Sequence, residues 1–460
     1  MPGPALPSFE VVARHRPFAL LAPTSPVVEL PVEGAPAPQP APYVSVVAGL
    51  TDVVGRVALS LGSGGVRLTG WYDASSGRTG LEVDDGADTT THRSRRWGRL
   101  TTRPDRLALT LTGAHLTVLT HDADGWRARG RVDLEERVDT RDEGFCAALR
   151  AGRAGSGIGT AHCGGFGELG LRDLRFVTTR DGDPVRDGDD LVLTATHAGP
   201  GFFDTAHTGV WSLDPRTHAL RHRSDLFFRR PDRPGVFGDH STHLVRDGDR
   251  WLVATSTWGD FDLPTTEARR HARVRVNLAE TNADLLSGRH VLDTRPLALP
   301  TDALTSVAVW DPHLVHDGDR WLVGYVSARR FFRFHPVLAT GPNLDALTLL
   351  AEAGDRRATE GTTLVRVDDR WWVVASDGRD GRRGERRGYP VFDLRLRQVG
   401  ALEAPYPSNL PWPNLARDDQ GWLLVTFDGA PAGGTLLGYG THGDVVVLRT
   451  TVDRSASHSV

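Results

Sequence analysis

Short runs of alternating hydrophobic and polar residues, separated by turn residues, extend through most of this 460-residue chain. Alternation of this kind buries one face of a strand and exposes the other, so it predicts β-strands. From residue 169 onward, one strand–turn–strand unit recurs five times, as in VWDPHLV-HDGD-RWLVGYV at 309–326. Asp-Gly between two apolar runs is a strong hairpin signal. We find no long amphipathic helical pattern, and the sequence predicts an all-β protein.

The spacing of the hairpins indicates the architecture. Their second strands are marked by Leu191, Trp251, Trp321, Trp371 and Trp422, at intervals of 60, 70, 50 and 51 residues. Repeats of this length with about four strands each are typical of β-propellers, in which every repeat forms one blade. We therefore predict a five-bladed β-propeller over residues 151–460, with Trp251 and Trp321 packed in the core between blades.

The chain before the repeats predicts two further parts. Residues 43–150 form short alternating strands with close turns, which predicts a β-sandwich that resembles the concanavalin-like modules in pattern. Residues 1–42 end in a run rich in Pro and Ala and predict a tail or strap, because proline lacks the N–H that sheets need. The Gly-rich stretch 149–168 predicts a linker or loop. Its GSGIG sequence follows no clear strand and lacks Gly-Lys-Ser/Thr, so it is not a phosphate-binding loop.

Composition excludes several classes of function. The 54 basic and 58 acidic residues nearly balance, and no basic stripe indicates a nucleic-acid partner. No apolar run is long enough to span a bilayer, and the N-terminus lacks the pattern of a signal peptide, so we expect a cytoplasmic protein. Cys146 and Cys163 are too few for a disulfide framework and are expected to be buried free thiols. The oligomeric state stays open.

Three acids begin predicted inner strands at nearly the same register. Asp173 in LRDLRFV and Asp311 in WDPHLV lie four residues before the strand-ending Val, and Glu360 in EGTTLV lies five before it. In a propeller the innermost strands line the central channel, so these carboxylates are expected at one mouth of it. Carboxylates that share a pocket repel each other, which raises the pKa of at least one. A protonated acid beside an ionised one is the pair that glycoside hydrolysis requires.

These motifs resemble the five-bladed propeller glycosidases of glycoside hydrolase family 43 and its relatives in families 32, 68, 117 and 130. The resemblance covers roughly residues 165–450. It implies that Asp173 is the general base, that Glu360 in Glu-Gly is the general acid, and that Asp311 in Asp-Pro tunes the pKa of the acid. It further implies hydrolysis of a furanoside or pentoside with inversion, an arabinofuranoside being the first expectation.

Two features depart from the family pattern. The first acid stands in Asp173-Leu174 where the family usually has Asp-Pro, and a literal Asp-Pro occurs instead at Asp183. We prefer Asp173, because only this residue lies on a predicted strand of the right register. The family often binds a central calcium through a histidine of the fifth blade, whereas that blade begins here with PWPN. We therefore assign no cofactor or metal, and a structural calcium stays open.

Residues near the strand starts are candidates for binding a carbohydrate substrate. They are Arg172, His240, Trp310, Trp412, Asn414 and His442. Arg172 neighbours the predicted base and is suited to lowering its pKa or holding a sugar hydroxyl, with a plain ion pair as the alternative. The tryptophans, and Phe166 with them, are suited to stacking on a sugar face, with core packing as the alternative. His442 has a structural role as its alternative.

Other functions stay open on the sequence. The run 377–390 holds five Arg, which predicts an exposed hairpin loop or a rim that binds an anion. A retaining fructosidase-type enzyme and a phosphorylase that holds phosphate with this loop are the alternatives among enzymes. The altered motif at Asp173 favours a third alternative, a propeller that binds carbohydrate without catalysis.

Overall fold

In the computed structural model of the protein, the described residues are 4, 6–32, 34–261, 273–330, 333–380, 386–429 and 442–450. They form 34 strands, one short α-helix, α1 (Glu143–Ala147), and one 3₁₀ turn, Phe203–Thr205. The predicted all-β class is confirmed. Within this described part of the chain, no helix has the length and apolar character that crossing a membrane requires.

Most strands before residue 166 belong to one ten-stranded sheet. The first strand of the chain, β1 (Phe9–His15), lies elsewhere. The sheet contains β2 (Val28–Glu29), β3 (Ala35–Pro36), β4 (Tyr43–Ser63), β5 (Val66–Asp73), β6 (Arg78–Asp84), β7 (Thr89–His92), β8 (Arg106–Thr112), β9 (His115–Asp122), β10 (Gly125–Asp133) and β11 (Arg150–Gly165). The 21-residue β4 pairs with β8 at its start and with β5 at its end. Strand β6 also contacts β9 and β10, so the sheet folds over a buried aliphatic core.

The Gly-rich stretch 149–168 is largely a strand, and the prediction of a linker or loop there is wrong. Strand β11 pairs antiparallel with β4 from Arg150 opposite Gly62 to Gly165 opposite Val44. A Cβ on Gly155 would lie 2.3 Å from the carbonyl oxygen of Arg56, so the close backbone approach at a bulge requires glycine there. The glycines mark a distorted strand, which sequence pattern does not distinguish from a flexible one. The domain boundaries and the sandwich assignment stay predictions.

The later strands form five sheets. The first sheet has β12 (Leu171–Phe176), β14 (Arg186–Asp187), β15 (Asp190–His197), β16 (His207–Leu213), β17 (Leu220–Arg229), β18 (Val236–Phe237) and β22 (Gly288–Asp293). The second sheet has β13 (Thr178–Thr179), β19 (His240–Asp247), β20 (Arg250–Ser256), β21 (Val276–Thr281) and β23 (Arg295–Pro296). The third sheet has β24 (Ala308–Asp317), β25 (Arg320–Arg330), β26 (Arg333–Gly341) and β27 (Thr348–Glu352). The fourth sheet has β28 (Thr359–Val367), β29 (Arg370–Asp377), β30 (Tyr389–Phe392) and β31 (Gln398–Leu402). The fifth sheet has β32 (Asn414–Asp418), β33 (Gly421–Asp428), β34 (Asp444–Thr450) and β1.

These sheets have a propeller-like arrangement. Strand β12 contacts β19 and β32, β19 contacts β24, and β24 contacts β28, which places these first strands side by side around a centre. Aliphatic clusters fill the spaces between neighbouring sheets, and the predicted core positions Trp251 and Trp321 are buried in them. Closure of the sheets into a five-bladed ring stays a prediction.

The N-terminal segment contributes a strand to the last sheet. Strand β1 pairs antiparallel with β34, from Phe9 opposite Thr450 to His15 opposite Val445. The buried Phe9 side chain packs in a cluster with Val446 and Leu448. The predicted tail or strap therefore includes a β-strand that joins the two ends of the described chain. Cys146 and Cys163 are buried and free, as predicted.

Candidate active site

Four of the first strands carry the same irregularity where they begin. Their pairing shifts register between Arg172 and Arg175, His240 and His243, Trp310 and His313, and Glu360 and Thr363. In each strand the first residue of the bulge has positive φ: Asp173 52°, Ser241 56°, Asp311 54° and Gly361 73°. Bulges of this kind bend the strand and re-aim its side chains. A repeated bulge thus turns one side chain from each strand toward a common point.

The three predicted catalytic acids meet in one pocket at that point. The pocket has a volume of about 130 Å³, and Asp173, Asp311 and Glu360 line it together with the predicted binding residues Arg172, His240, Trp310 and Trp412. A cavity that holds one water molecule has a volume of roughly 10–15 Å³, so this pocket has room for a group the size of a sugar ring.

An aromatic wall forms the apolar side of this pocket. The rings of Phe203 and Trp258 are stacked at 4.7 Å, Trp258 lies 5.4 Å from Trp310, and Trp310 lies 5.6 Å from Phe334. Aromatic rings supply large apolar area with defined geometry. The pocket therefore combines an acidic side with a rigid aromatic side, which suits a ligand that has both hydroxyls and C–H faces.

Glu360 is held in its protonated form by its surroundings. Glu360 is partly buried, and the lost hydration of its carboxyl raises the pKa of Glu360 well above its ordinary value, while the charges of Asp311 and Asp173 raise it further. Arg172 and a hydrogen bond from Trp310 oppose these effects without cancelling them. Glu360 is therefore suited to donating a proton near neutral pH.

Asp311 is fully enclosed and also electrostatically strained. Burial, with the neighbouring charge of Asp173 as the second cause, raises the pKa of Asp311 to about 7. Arg175, the hydroxyl of Ser241 and the N–H of Gly361 lower it, while the Oδ2 atom of Asp311 has no hydrogen-bond partner. A buried carboxylate with an unsatisfied oxygen is costly, so Asp311 titrates near neutrality instead of in the acid range.

Asp173 lies between a cation and a neutral histidine. Its carboxylate is 4.0 Å from Nε of Arg172 and 3.9 Å from Nδ1 of His240. The carbonyl of Phe203 accepts a hydrogen bond from Nε2 of His240 at 3.1 Å, so this nitrogen carries the hydrogen. Burial lowers the pKa of His240 to about 4, and the ring is neutral at physiological pH.

The remaining predicted binding residues fall in different places. Trp412 and Asn414 each donate a hydrogen bond of 2.8 Å to the carbonyl of Leu174, which ties β32 to β12. Asn414 does not reach the acid pocket and lines a cavity farther along the strands. His442 is buried in a small cavity beside Asp173 and His240. Phe166 is a core residue and does not line the acid pocket.

The alternative acid, Asp183, is separated from the other two. It pairs with Arg366 at 3.1 Å and its side chain is 67% exposed. It lines the same cavity as Asn414, of about 380 Å³, which lies toward the opposite ends of the first strands. Asp173 is thus the one of the two that shares a pocket with Asp311 and Glu360.

The centre between the first strands does not fit a calcium ion. Calcium requires six to eight oxygen ligands. The position below Asp311 is instead filled by the guanidinium of Arg175, which donates hydrogen bonds to Thr363 Oγ1 at 2.7 Å and to the carbonyl of Asp311 at 3.1 Å. A fixed positive charge at this position repels a cation, so we derive no chemistry from a metal here.

A second group of possible metal ligands lies outside the acid pocket. His197, His207 and Asp225 are buried, and their ligand atoms lie within 4.8 Å of one another. Trp211 donates a hydrogen bond to Nε2 of His197 at 2.7 Å, so the hydrogen of this ring is on Nδ1, which faces Asp225 at 3.6 Å. A protonated Nδ1 cannot bind a metal, and the Asp225 carboxylate is instead hydrogen-bonded to Nε2 of His222 at 2.9 Å and to Nε2 of His207 at 3.3 Å.

Sequence reasoning missed several residues of the pocket. Ser241 occupies the bulge position of β19 that Asp173 and Asp311 occupy in their strands, and aligning DHSTHLV with WDPHLV reveals it. Phe203, Trp258 and Phe334 come from loops and outer strands that no repeat position marks. Arg379 of the Arg-rich run 377–390 lines the pocket, and residues 381–385 of this run lie outside the described residues.

Comparison with known proteins gives only a structural likeness. No protein-family profile and no curated protein sequence matches the chain. A glycoside hydrolase family 32 β-fructofuranosidase from Bombyx mori is similar at 15% identity and a TM-score of 0.42, over 61% of this chain and 60% of that protein. A family 43 enzyme from Xanthomonas citri complexed with xylose is similar at 13% identity and a TM-score of 0.40, over 59% of this chain and 87% of that one.

A family 117 glycoside hydrolase from Zobellia galactanivorans is also similar, at 9% identity and a TM-score of 0.43, over 60% of this chain and 84% of that one. These three structures are glycoside hydrolases of families that the motif resemblance names. The match spans less than two thirds of the Bombyx mori protein. Because these identities and TM-scores are low, a function for this chain has to be argued from the residues of the pocket themselves.

Proposed function

We propose that this chain is a glycoside hydrolase whose five blade-like sheets close into a propeller around the acid pocket. The observation that carries the proposal is the meeting of three carboxylates from three different strands in one pocket with an aromatic wall. Burial and neighbouring carboxylates raise the pKa values of two of them, Asp311 and Glu360. Groups with perturbed pKa values that converge in a concave site are the usual sign of acid–base chemistry.

The likeness of the acid motifs to glycoside hydrolase family 43 supports an inverting reaction on a furanoside or pentoside, such as an arabinofuranoside. Asp173 accepts a proton from a water molecule as the water oxygen attacks the anomeric carbon. Glu360 donates its proton to the leaving oxygen as the glycosidic bond breaks. Asp311 remains outside the reacting bond and keeps the pKa of Glu360 high through its negative charge.

A panel of nitrophenyl furanosides and pyranosides tests the proposal. We expect release of nitrophenol from at least one pentoside or furanoside by the purified chain, and loss of this activity in Asp173→Asn. Binding of sugars without turnover across the whole panel would instead identify a carbohydrate-binding protein. A strict requirement for phosphate would identify a phosphorylase.

The stereochemical outcome needs a separate measurement. Proton NMR of the first-formed anomer, recorded before mutarotation, distinguishes the two mechanisms. Inversion is expected if Asp173 activates water, whereas retention would mean that a carboxylate attacks the sugar directly.

A further inference from the structure

Arg175 is a buried cation directly below the acid pocket. The residue is 0% exposed, and its guanidinium also lies over the ring of Trp412 at 5.3 Å. Among the described residues, no carboxylate oxygen lies within 4.0 Å of its nitrogens, and Nε has no hydrogen-bond partner. A charge buried without a direct ion pair is expensive, so a role beyond packing is needed to explain it.

The charged and titratable groups that face Arg175 come from three strands. They are Asp173 on β12 itself, His243 on β19, and Asp311 and His313 on β24. The two histidine rings are stacked at 4.2 Å, and each accepts a backbone N–H at Nδ1, from Leu314 at 3.0 Å and from Leu364 at 3.4 Å. Burial lowers the pKa of both histidines well below its ordinary value, so Arg175 is the cation of this group.

The hydrogen bonds of Arg175 also connect the strands that carry the acids. From β12 it reaches the Asp311 carbonyl in the bulge of β24 and the Thr363 hydroxyl at the bulge of β28. Thr363 in turn donates to the carbonyl of Gly361 at 2.7 Å. One side chain thus holds the strand starts of Asp173, Asp311 and Glu360 at fixed positions relative to one another.

We propose that Arg175 is a positioning residue that supplies a fixed positive charge beneath the three acids, in place of a bound metal ion. The charge stabilises the ionised form of Asp311, whereas burial keeps the proton on Glu360. Even with its pKa lowered to about 10 by burial, the guanidinium stays charged at neutral pH. The inference rests on the proposed glycosidase function and adds a residue that does not touch the substrate.

The test compares Arg175→Met, which removes the charge, with Arg175→Lys, which keeps it. Arg366→Met, which breaks an exposed ion pair with Asp183, is the matched control. We expect the acidic limb of the kcat/KM profile to move up by about one pH unit or more in Arg175→Met, because an opposite charge typically lowers a carboxyl pKa by 1–3 units. In Arg175→Lys and Arg366→Met we expect shifts below about half that size. Wild-type activity should be unchanged by EDTA.

Titration of carboxyl carbons by ¹³C NMR makes the inference independent of turnover. An upward shift of the Asp311 titration in Arg175→Met is expected even if no glycoside is hydrolysed, so failure of the proposed function and failure of this inference are distinguishable. Unchanged carboxyl titration in folded Arg175→Met overturns the inference. If Arg175→Met does not fold, a shift of a full unit in Arg175→Lys, or calcium-dependent wild-type activity, overturns it.

Discussion

Three acids in one pocket acquire different properties from the atoms that surround each of them. Asp311 is enclosed and lacks a partner for one oxygen, whereas Asp173 has Arg172 and His240 within about 4 Å. Glu360 accepts a hydrogen bond from Trp310 and experiences the charge of both aspartates. Because burial and like charges raise a carboxyl pKa, Asp311 and Glu360 hold their protons to higher pH than ordinary carboxyl groups do.

Replacing Glu360 by Gln removes the transferable proton while keeping the shape of the side chain. We expect kcat/KM to fall by about 10²–10⁴-fold on substrates with poor leaving groups, since general acid catalysis typically contributes that much. The loss should be smaller for nitrophenyl glycosides, whose leaving group needs little protonation. The exposed Glu280→Gln serves as a control, and equal activity of Glu360→Gln and wild type on both substrate classes would contradict the assignment.

Asp311 links the stability of the fold to pH. Its pKa of about 7 in the folded state lies above the ordinary value of 3.8. At pH values between 3.8 and 7, the folded state therefore keeps a proton on Asp311 that the unfolded state has lost. The contribution of Asp311 to the free energy of unfolding is therefore fully present below about pH 4 and decreases as pH rises toward 7. Asp311→Asn removes this titration, and Asn tolerates the positive φ of the site.

We expect Asp311→Asn to raise the Tm relative to wild type at pH 8 and to leave it nearly unchanged at pH 4, measured by scanning calorimetry. The same variant should lose activity, because the negative charge that keeps Glu360 protonated is gone. A Tm difference that is equal at both pH values would show that Asp311 does not titrate in this range.

At the scale of the strand, the repeated bulge is the device that assembles the pocket. The bulge residues other than glycine carry backbone strain of about 1–3 kcal/mol each at positive φ, which persists because neighbouring strands hold them in place. In β28 the bulge residue is Gly361, and the ring of Trp412 packs directly onto it. The Glu-Gly motif is thus explained locally: Glu360 provides the acid, and Gly361 allows the bulge beneath Trp412.

Gly361→Ala should be strongly destabilising. An added Cβ would lie 2.3 Å from atoms of Trp412, at a backbone φ of 73° that Ala adopts poorly. We expect a loss of about 2–4 kcal/mol in the free energy of unfolding, from strain and overpacking together, measured by urea denaturation. Gly400→Ala in β31, where a Cβ meets nothing within 4 Å, is the matched control. A difference below about 0.5 kcal/mol between the two would refute this account of the motif.

At the scale of the whole molecule, the two ends of the described chain share one sheet. The outer strand of that sheet, β1, comes from the N-terminal part of the chain and its partner β34 from the C-terminal part. Pairing of distant segments in one sheet makes the stability of the last sheet depend on both. The acid pocket lies at the other edge of the sheet, beside Trp412.

Phe9→Ala tests this closure. The side chain is 4% exposed and packs against Val446 and Leu448, so its removal should cost about 3 kcal/mol of unfolding free energy. Val11→Ala on the same strand, at a position that is 38% exposed, should cost far less. Urea unfolding monitored by tryptophan fluorescence measures both, and equal effects would mean that β1 contributes no buried anchor.

Much of the local structure can be predicted from the order of residues along the chain. Alternation and Asp-Gly turns located the hairpins, because side-chain period and turn chemistry act over a few residues. The same register argument placed Asp173, Asp311 and Glu360 at strand starts, and these three do share a pocket. The position of the acids could be derived because each lies at an equivalent point of a repeated unit.

Features that depend on residues distant in sequence follow only from the folded chain. The strand over 150–165, the pairing of β1 with β34 and the aromatic wall of Phe203, Trp258 and Phe334 all arise from contacts between separate segments. Arg175 is two residues from Asp173 in sequence, yet its role follows only from its position beneath Asp311 on another sheet. Burial and charge proximity set pKa values, and both are properties of the folded chain.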